Sequence, residues 1–350
     1  MENKQKSEQE TAKYIQETGD NDRVTIADIA DALQISKTTV SRAISGKGRI
    51  GEETRARVLA YIEQCNYRPN PLAKGLAQLR TYNIGWVMPG DSDVTDLPFF
   101  QRCMIGISEV AATHDYDILL SMVYDKDMSQ LERIVRNRKI DGLILGRTLI
   151  QDDRVAFLKK MKVPFVVIGS TPVEQVVQID NDHVAACREL TAILLLKGLK
   201  KLALIGGDSN HVVNMTRKKG FEQGLETQQL AASDALTFMD CNEMTDVFHA
   251  VEECVRSKVD CIICMDDRIC TQVLEKLKND HIKMPEQIKI ASFYDSVLLD
   301  NAVPAITALQ YDPRNLGVVA AKTLFQLIDG EEVNAVTYLN YEVALRGSTQ

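Results

Sequence analysis

The sequence is short of the residues and motifs on which several classes of enzyme depend. Its 350 residues include only five histidines and one tryptophan, and aromatic residues make up 6% of the chain. The histidines are scattered, and no H-E-x-x-H motif, G-x-S-x-G motif or phosphate-binding glycine loop is present. These are the motifs of zinc proteases, serine hydrolases and P-loop nucleoside triphosphatases. We therefore expect no catalytic site and no enzymatic activity.

Long apolar runs are also missing from the sequence. No stretch approaches the roughly 20 apolar residues that cross a membrane, and the first residues have no signal-peptide core. We therefore expect a cytoplasmic protein with no membrane association, in which the eight cysteines stay reduced. Cys261 and Cys264 have the spacing of a metal or redox pair, but the apolar run DCIICM around them predicts a buried strand. We expect neither a metal nor a cofactor.

Charge is unevenly distributed along the chain. The formal net charge is −8, yet residues 23–80 contain ten Lys/Arg and five Asp/Glu, a local balance of +5, which leaves −13 for the remainder. A basic segment attached to an acidic remainder orients a molecule on a polyanion such as DNA.

That basic segment has the pattern of a small helical domain. Thr25 and Asp28 have the spacing of a capping box at the start of a first helix. Gln34 and Ile35 leave room only for a turn before Ser36, which can cap a second helix. The apolar stripe of the first helix consists of Ile26, Ile29, Ala30 and Leu33.

The second helix, roughly Lys37 to Ser45, has one apolar edge and one polar face. Val40 and Ile44 predict the buried edge, and Lys37, Thr38, Ser41 and Arg42 form the opposite face. Such a face suits the major groove, because it offers donors to guanine and phosphate and a methyl group to thymine. An ordinary solvated helix face is the alternative reading of this pattern alone.

Two further segments complete the N-terminal pattern. A third helix over Glu53–Cys65 places Val58, Leu59, Ile62 and Cys65 on one face. Asn70 and Pro71 then begin PLAKGLA, a segment too short to hold a helix by itself. Its leucines have no obvious core, and insertion of a leucine into the minor groove would explain them.

The runs TIADIADALQISKTTVSRAIS and RIGEETRARVLAYIEQCNYRPNPLAKGL resemble the DNA-binding headpiece of the LacI/GalR (lactose-repressor) family. The resemblance implies a helix-turn-helix headpiece over 23–68 and a hinge helix with its linker over 69–80. Residues 1–22 are polar, mixed in charge and short of large apolar groups, which predicts a disordered tail, and this extension departs from the family, whose members usually start close to the first helix. The resemblance further implies three groups of contacts with double-stranded DNA. These are base contacts by Lys37, Thr38 and Arg42, phosphate contacts by Thr25, Ser36 and Thr39, and minor-groove contacts by the hinge residues Asn70, Lys74 and Leu76.

From Tyr82 onward, short apolar strands alternate with amphipathic helical segments. The predicted strands are YNIGWVM, YDILLSM, GLILG, PFVVIG, KLALIG, DCIICM, IKIAS and AITAL. This pattern predicts parallel, doubly wound α/β sheets covered on both faces, and some 270 residues of it exceed one such domain. The segment resembles the effector-binding core of the same family, which is built like periplasmic sugar-binding proteins. The resemblance implies a core over 81–350 with two lobes, of which the first takes about 82–180 and 311–338 and the second about 181–310 and 339–350.

Ligands of such sheets bind beyond the carboxyl ends of the strands, here in the cleft between the lobes. By the resemblance, NMTRKKGF places Arg217 at the family's effector-contacting arginine. The other expected pocket residues follow strands or match aromatic and polar positions of the family: Asp91, Phe99, Phe100, Asp266, Asp267 and either Tyr294 or Asp295.

The choice between Tyr294 and Asp295 stays open in the sequence. Many family members have G-F-D or G-Y-D where this chain has Ser292-Phe293-Tyr294-Asp295. Counting back from Pro304 puts Tyr294 at the family's aspartate. Asp295 could instead take that role after a shift of one residue.

Taken together, these features predict a transcriptional regulator, by family default a repressor, that binds a pseudo-palindromic operator as a homodimer. We expect a small-molecule effector in the cleft, most simply a sugar. Nucleosides, nucleobases and a protein co-regulator remain alternatives. A plain solute-binding protein is a distant alternative, since such a protein would carry a signal sequence and no headpiece.

Overall fold

The chain forms two compact units, Met1–Arg80 and Thr81–Gln350. The structure is a computed structural model, and it describes residues 24–46, 48–67, 75, 79–90, 97–124 and 127–350. The predicted tail, the hinge residues Asn70, Lys74 and Leu76, and the pocket candidate Asp91 lie outside these residues. None of the helices described is long and apolar enough to cross a bilayer.

The described part of the first unit includes the short helices α1 (Ile26–Leu33), α2 (Lys37–Ser45) and α3 (Glu52–Gln64). The capping box predicted at α1 is confirmed. The Asp28 amide donates to Thr25 Oγ1 at 3.3 Å, and the Thr25 amide donates to the Asp28 carboxylate at 2.8 Å. Gln34 then takes a left-handed conformation that ends α1, and Ser36 caps α2.

All three described helices of the first unit contribute to its core. Ile29, Val40 and Val58 are completely buried there. The prediction that Leu59 joins this core was wrong, because its side chain is 44% exposed. Tyr61 packs against the core instead, since it lies three residues from Val58 and so on the same face of α3.

The second unit contains two six-stranded sheets, as the alternating pattern predicted. The first sheet has the order β11-β5-β4-β3-β1-β2, and all of its pairs are parallel. Its strands are β1 (Asn83–Pro89), β2 (Asp117–Val123), β3 (Gly142–Leu145), β4 (Phe165–Ile168), β5 (Val177–Asn181) and β11 (Val336–Leu339). Its helices are α4 (Leu97–Thr113), α5 (Ser129–Arg136), α6 (Asp153–Met161) and α12 (Pro313–Ile328). We call this part the first lobe.

The second sheet has the order β12-β10-β9-β8-β6-β7, with only β12 antiparallel to its neighbour. Its strands are β6 (Leu202–Ile205), β7 (Leu236–Phe238), β8 (Cys261–Cys264), β9 (Lys289–Ser292), β10 (Thr307–Gln310) and β12 (Glu342–Ala344). Its helices are α7 (His183–Leu196), α8 (Val212–Glu226), α9 (Met244–Arg256), α10 (Asp267–Asn279) and α11 (Val297–Asp300). We call this part the second lobe.

The chain passes between the lobes at three places. It leaves the first sheet after Asn181, returns after Gln310, and leaves it again between Leu339 and Glu342. On its return, α12 packs against α4 at very short range, where a Cβ on Gly106 would lie 2.0 Å from the Arg314 carbonyl oxygen. The first lobe is therefore assembled from segments about 200 residues apart in the sequence.

Candidate functional site

One face of α2 in the first unit is polar and exposed. Lys37, Thr38, Ser41 and Arg42 are exposed, while Val40 and Ala43 on the opposite edge are buried. Arg42 also extends beside the loop that follows α2, because a Cβ on Gly48 would lie 3.3 Å from the Arg42 Cδ. A helix buried along one edge and lined by Lys, Thr, Ser and Arg on the other can present donors to base edges.

The hydroxyl groups predicted to contact phosphate already take part in the helix caps. Thr25 Oγ1 donates to the Asp28 carboxylate at 2.7 Å, and Ser36 Oγ and Thr39 Oγ1 share a hydrogen bond of 2.8 Å. The hydrogen bonds from the Thr25 side chain and backbone lower the pKa of Asp28 below its usual 3.8. Contact of these hydroxyls with an anion would therefore compete with capping.

In the second unit, the carboxyl ends of strands from both sheets enclose a cavity of about 190 Å³. This volume is more than ten times the roughly 10–15 Å³ that a single water needs, so a small organic molecule fits. The walls come from both lobes and from the two crossings after β5 and β10. They include Phe99, Phe100, Arg147, Thr148, Asp180, Asn181, His183, Asp208, His211, Asn214, Arg217, Asn242, Asp266, Asp267, Arg268, Tyr294 and Tyr311.

Arg217 lies on α8 and is only 7% exposed. Its Nη1 donates to the Met265 carbonyl at 2.8 Å, and its guanidinium lies 5.9 Å from the centre of the Tyr294 ring. Its Nε is buried without a hydrogen-bond partner in the described part of the chain. Asn181 Oδ1, in the same wall, is in the same situation. A buried polar atom without a partner carries a desolvation cost of about 1–3 kcal/mol.

Two adjacent carboxylates lie at the start of α10. Asp266 caps the helix by accepting from the Ile269 amide at 2.8 Å. Asp267 follows it and is 5% exposed. Burial raises the pKa of Asp267 to about 6; the neighbouring Asp266 carboxylate adds to this shift, and interactions with Ser296 and, more weakly, Arg217 oppose it. Asp267 therefore changes its charge at a pH close to neutrality.

Three aromatic rings face one another across the cleft. Tyr294 follows β9 in the second lobe, and its ring meets that of Phe99 in the first lobe edge-on, with centroids 6.0 Å apart. On another side, Tyr294 stacks on Tyr311 at 6.2 Å with an interplanar angle of 17°. Phe100 is buried behind Phe99, in edge contact at 5.2 Å.

Asp295 does not line the cavity, so its assignment to the effector set needs correction. Both carboxylate oxygens are bound by the Arg346 guanidinium, at 2.9 and 2.7 Å, and one also accepts from Gln310 at 2.8 Å. The Asp295 carboxylate is thus bound by a residue of the C-terminal segment. Tyr294 is the residue of the pair that reaches the cavity.

The sequence analysis did not find a buried network at the crossings. His183 Nε2 lies 3.4 Å from the Asp180 carboxylate, and His183 Nδ1 lies 3.2 Å from the Tyr311 hydroxyl. Ser170 donates to the other Asp180 oxygen at 2.7 Å. Asp180 is the second-last residue of β5, at the first crossing, and Tyr311 follows β10, at the second crossing, so this network joins these two connections between the lobes.

A second contact between the lobes lies at the mouth of the cleft. The Ile150 amide donates to the Asn210 carbonyl at 2.8 Å, and the Val212 amide donates to the Thr148 carbonyl at 3.3 Å. These bonds join the loop after β3 to the loop after β6. The two lobes are therefore in direct backbone contact in this structure.

Some of the missed cavity residues carried a signal in the sequence. Arg147 and Thr148 directly follow the run GLILG, and Asp208 directly follows KLALIGG. The rule that ligands bind beyond strand ends would have selected them. The same rule would have selected Tyr311, which follows the predicted strand AITAL. His183 carried no such signal, because the strand preceding it was not predicted.

Similarity to known families is consistent along the chain. A model described as periplasmic binding proteins and sugar binding domain of LacI family matches residues 81–341, and one described as bacterial regulatory proteins, lacI family, matches residues 25–70. The chain belongs to the LacI family. It is a LacI-family transcriptional regulator with an N-terminal helix-turn-helix and a two-lobed α/β core.

Individual relatives support the same assignment for this LacI-family regulator. Catabolite control protein A of Staphylococcus epidermidis is 27% identical over 332 residues, which cover 93% of this chain and 99% of the relative. A crystal structure of a probable maltose operon transcriptional repressor from Staphylococcus aureus is 26% identical, with a TM-score of 0.72 over 77% of this chain and 99% of that one. The lac repressor dimer bound to operator and an anti-inducer is 20% identical, with a TM-score of 0.78 over 94% of this chain and 99% of that one, and shares the fold.

Proposed function

We propose that this LacI-family regulator represses transcription in the cytoplasm by binding a pseudo-palindromic operator as a homodimer. In this proposal a small molecule, most simply a sugar, binds in the cavity between the lobes and changes the affinity for DNA. We also propose residues 69–80 as the hinge, with Asn70, Lys74 and Leu76 at the minor groove.

The observation that carries the DNA-binding part is the exposed polar face of α2. Lys37, Thr38 and Arg42 are presented on a capped helix whose other edge is buried. In this proposal they read base edges in the major groove. Because one such helix contacts only a few bases, useful specificity requires two headpieces on a two-fold site.

A polyhydroxylated effector is supported by the chemistry of the cavity wall. The wall alternates guanidinium, amide and carboxylate groups, and two of its polar atoms, Arg217 Nε and Asn181 Oδ1, lack partners among the described residues. One needs an acceptor and the other a donor, and neighbouring hydroxyl groups supply both. The core also matches a model described as a sugar binding domain.

A nucleoside or nucleobase is a second candidate, favoured by the aromatic part of the wall. Phe99, Tyr294 and Tyr311 offer ring faces and edges in one small volume. A flat heterocycle could pack against them, with Arg217 and Asp267 as hydrogen-bonding partners.

The DNA-binding part is tested by fluorescence anisotropy on DNA selected from a random pool. Arg42→Ala should weaken binding to the selected site by about 1–3 kcal/mol and relax the preference at one base pair. Arg256→Ala is the matched control, because Arg256 is an exposed arginine of the second unit that pairs with Glu253 in its own helix. An equal loss by Arg42→Ala on selected and random DNA would contradict base reading.

The effector part is tested by repeating the titration with glucose, maltose, cellobiose, adenosine and hypoxanthine. Trp86 offers a second readout, because it is fully buried and its ring lies 6.5 Å from that of Phe100 in the cavity wall. Arg217→Ala should keep DNA binding but lose the response to the active compound, because the guanidinium in the wall is removed. Lys218→Ala is the control, since Lys218 pairs with Glu222 and does not line the cavity. A full response by Arg217→Ala would place the effector elsewhere.

A further inference from the structure

Tyr294 connects the two lobes through its side chain. It belongs to the second lobe, yet its ring meets Phe99 of the first lobe and stacks on Tyr311 at a crossing between the lobes. The guanidinium of Arg217 lies near the same ring. The position of this single ring therefore affects both the shape of the cavity and the closure of the cleft.

The backbone that carries Tyr294 is held by hydrogen bonds on the N-terminal side of the loop, and by few packing contacts in the residues that directly follow it. Upstream, Ser292 Oγ accepts from the Tyr294 amide at 3.2 Å and donates to its carbonyl at 2.7 Å. Downstream, Val297 and Leu298 are 61% and 56% exposed, and the next fully buried side chain is that of Leu299, five residues from Tyr294. Packing between Tyr294 and Leu299 thus contributes little to holding the Tyr294 side chain.

The strong constraint downstream of Tyr294 is the ion pair of its neighbour Asp295. Arg346 binds both Asp295 oxygens, a paired geometry in which charge-assisted hydrogen bonds are strongest. The side chains of Arg346 and Asp295 are 14% and 9% exposed, so solvent screens the pair only weakly.

Arg346 is itself fixed in the second lobe. Its Nη1 donates to the Ile306 carbonyl at 2.8 Å, and its backbone amide donates to Thr307 Oγ1 at 2.9 Å. It follows β12, which is hydrogen-bonded to β10. The C-terminal segment is therefore a rigid anchor for Asp295, one residue from the ring that crosses the cleft.

We propose that Arg346 is a positioning residue for the effector cavity, which by clamping Asp295 holds the Tyr294 ring against Phe99 and so sets how firmly the cleft closes around its effector. The proposal rests on the proposed function in taking this cavity as the effector site. It adds that the C-terminal segment, which does not line the cavity, controls the affinity of that site.

Hydrogen exchange of the full-length protein without any effector tests the closure. The amides of Ile150 and Val212 bond across the mouth of the cleft, so their exchange reports on its opening. Arg346→Gln and Asp295→Asn both break the Arg346–Asp295 pair, and each should speed exchange at these amides about tenfold. Asp295→Asn is the cleaner of the two, because it keeps the second pair of Arg346, with Asp300 at 3.0 Å. Arg314→Gln is the control, since it breaks an exposed arginine–carboxylate pair with Glu109 in the first lobe. Unchanged exchange at Ile150 and Val212 in both variants would overturn the proposal.

A double variant separates positioning from a general stabilising role. Tyr294→Ala should by itself speed exchange at Ile150 and Val212, and adding Arg346→Gln should produce no further increase, because both changes remove the same contact. If the two effects add in full, Arg346 acts on the lobe independently of Tyr294 and the proposal is wrong.

Binding measured through Trp86 emission completes the test, with maltose, cellobiose, glucose and adenosine as probes. Arg346→Gln should weaken binding of the active probe about tenfold, and Arg346→Lys should restore part of that loss. If no probe binds the wild-type protein, the proposed effector class fails while the exchange data still decide the positioning role. If a probe binds wild type and Arg346→Gln equally well, the proposed effector class stands and the positioning role fails.

Discussion

Replacing Asp267 by asparagine tests the electrostatics of the cavity most directly. Burial raises the pKa of Asp267 from 3.8 to about 6. A carboxyl group with a raised pKa in the folded state binds its proton more tightly there than in the unfolded chain. Its stabilising contribution is therefore complete below pH 3.8 and is lost as the pH rises through 6. Asparagine cannot ionise, so Asp267→Asn removes this loss.

The magnitude follows from the difference between the two pKa values. At 1.36 kcal/mol for each pKa unit, a rise from 3.8 to about 6 corresponds to about 3 kcal/mol of folding free energy. About 2 kcal/mol of this total falls between pH 4.5 and 8. Over that range, the stability of Asp267→Asn relative to wild type should increase by this amount.

Urea unfolding followed by circular dichroism measures this difference at a series of pH values. Asp127→Asn is the matched control, because hydrogen bonds from Ser129 lower the pKa of Asp127 and its titration lies below the range tested. The control should differ from wild type by a constant amount from pH 4.5 to 8. If Asp267→Asn also gives a flat difference, Asp267 is not held in a buried site that disfavours its charge, and the account of the cavity is refuted.

Two further predictions concern the folding of each unit. Thr25→Ala removes the cap of α1 and should destabilise it by about 1 kcal/mol, seen as faster exchange of the α1 amides; unchanged exchange would show that the cap contributes nothing. Gly106→Ala should prevent α4 and α12 from packing, because the new Cβ would lie 2.0 Å from the Arg314 carbonyl oxygen, and should lower the melting temperature far more than Gly330→Ala. Gly330 has φ +78°, and a Cβ added there would meet no atom within 4 Å, so alanine costs only about 1–2 kcal/mol of backbone strain. Equal effects of the two glycine replacements would contradict the close packing.

Local sequence rules were sufficient for the caps and the extent of α1 and α2. The capping box of Thr25 and Asp28, the turn at Gln34 and the extent of α2 all depend on residues within four positions of one another. The error at Leu59 arose because helix periodicity alone does not show whether Leu59 or Tyr61 faces the core. Only the packing of the other two helices determines that Tyr61 faces the core.

In the second unit, the sequence predicted the strands that are apolar throughout. It did not predict β5, β7 and β11, whose pattern of buried and exposed side chains depends on their position in the sheet. The fully buried β3, β6 and β8 were predicted, and each lies inside its sheet. β7 and β11 are edge strands, and β5 carries the polar residues of a crossing. Their backbone pairing depends on partners far away in the chain, which no local pattern encodes.

The sequence by itself determined the family, the exposed polar face of α2 and the presence of Arg217 in the cavity wall, because these depend on a short ordered motif or on helix periodicity. Only the tertiary structure decided between Tyr294 and Asp295. Arg346, 51 residues further along the chain, binds the Asp295 carboxylate, whereas the Tyr294 ring lines the cleft. The choice depended on a contact between distant residues, and folding alone brings those residues together.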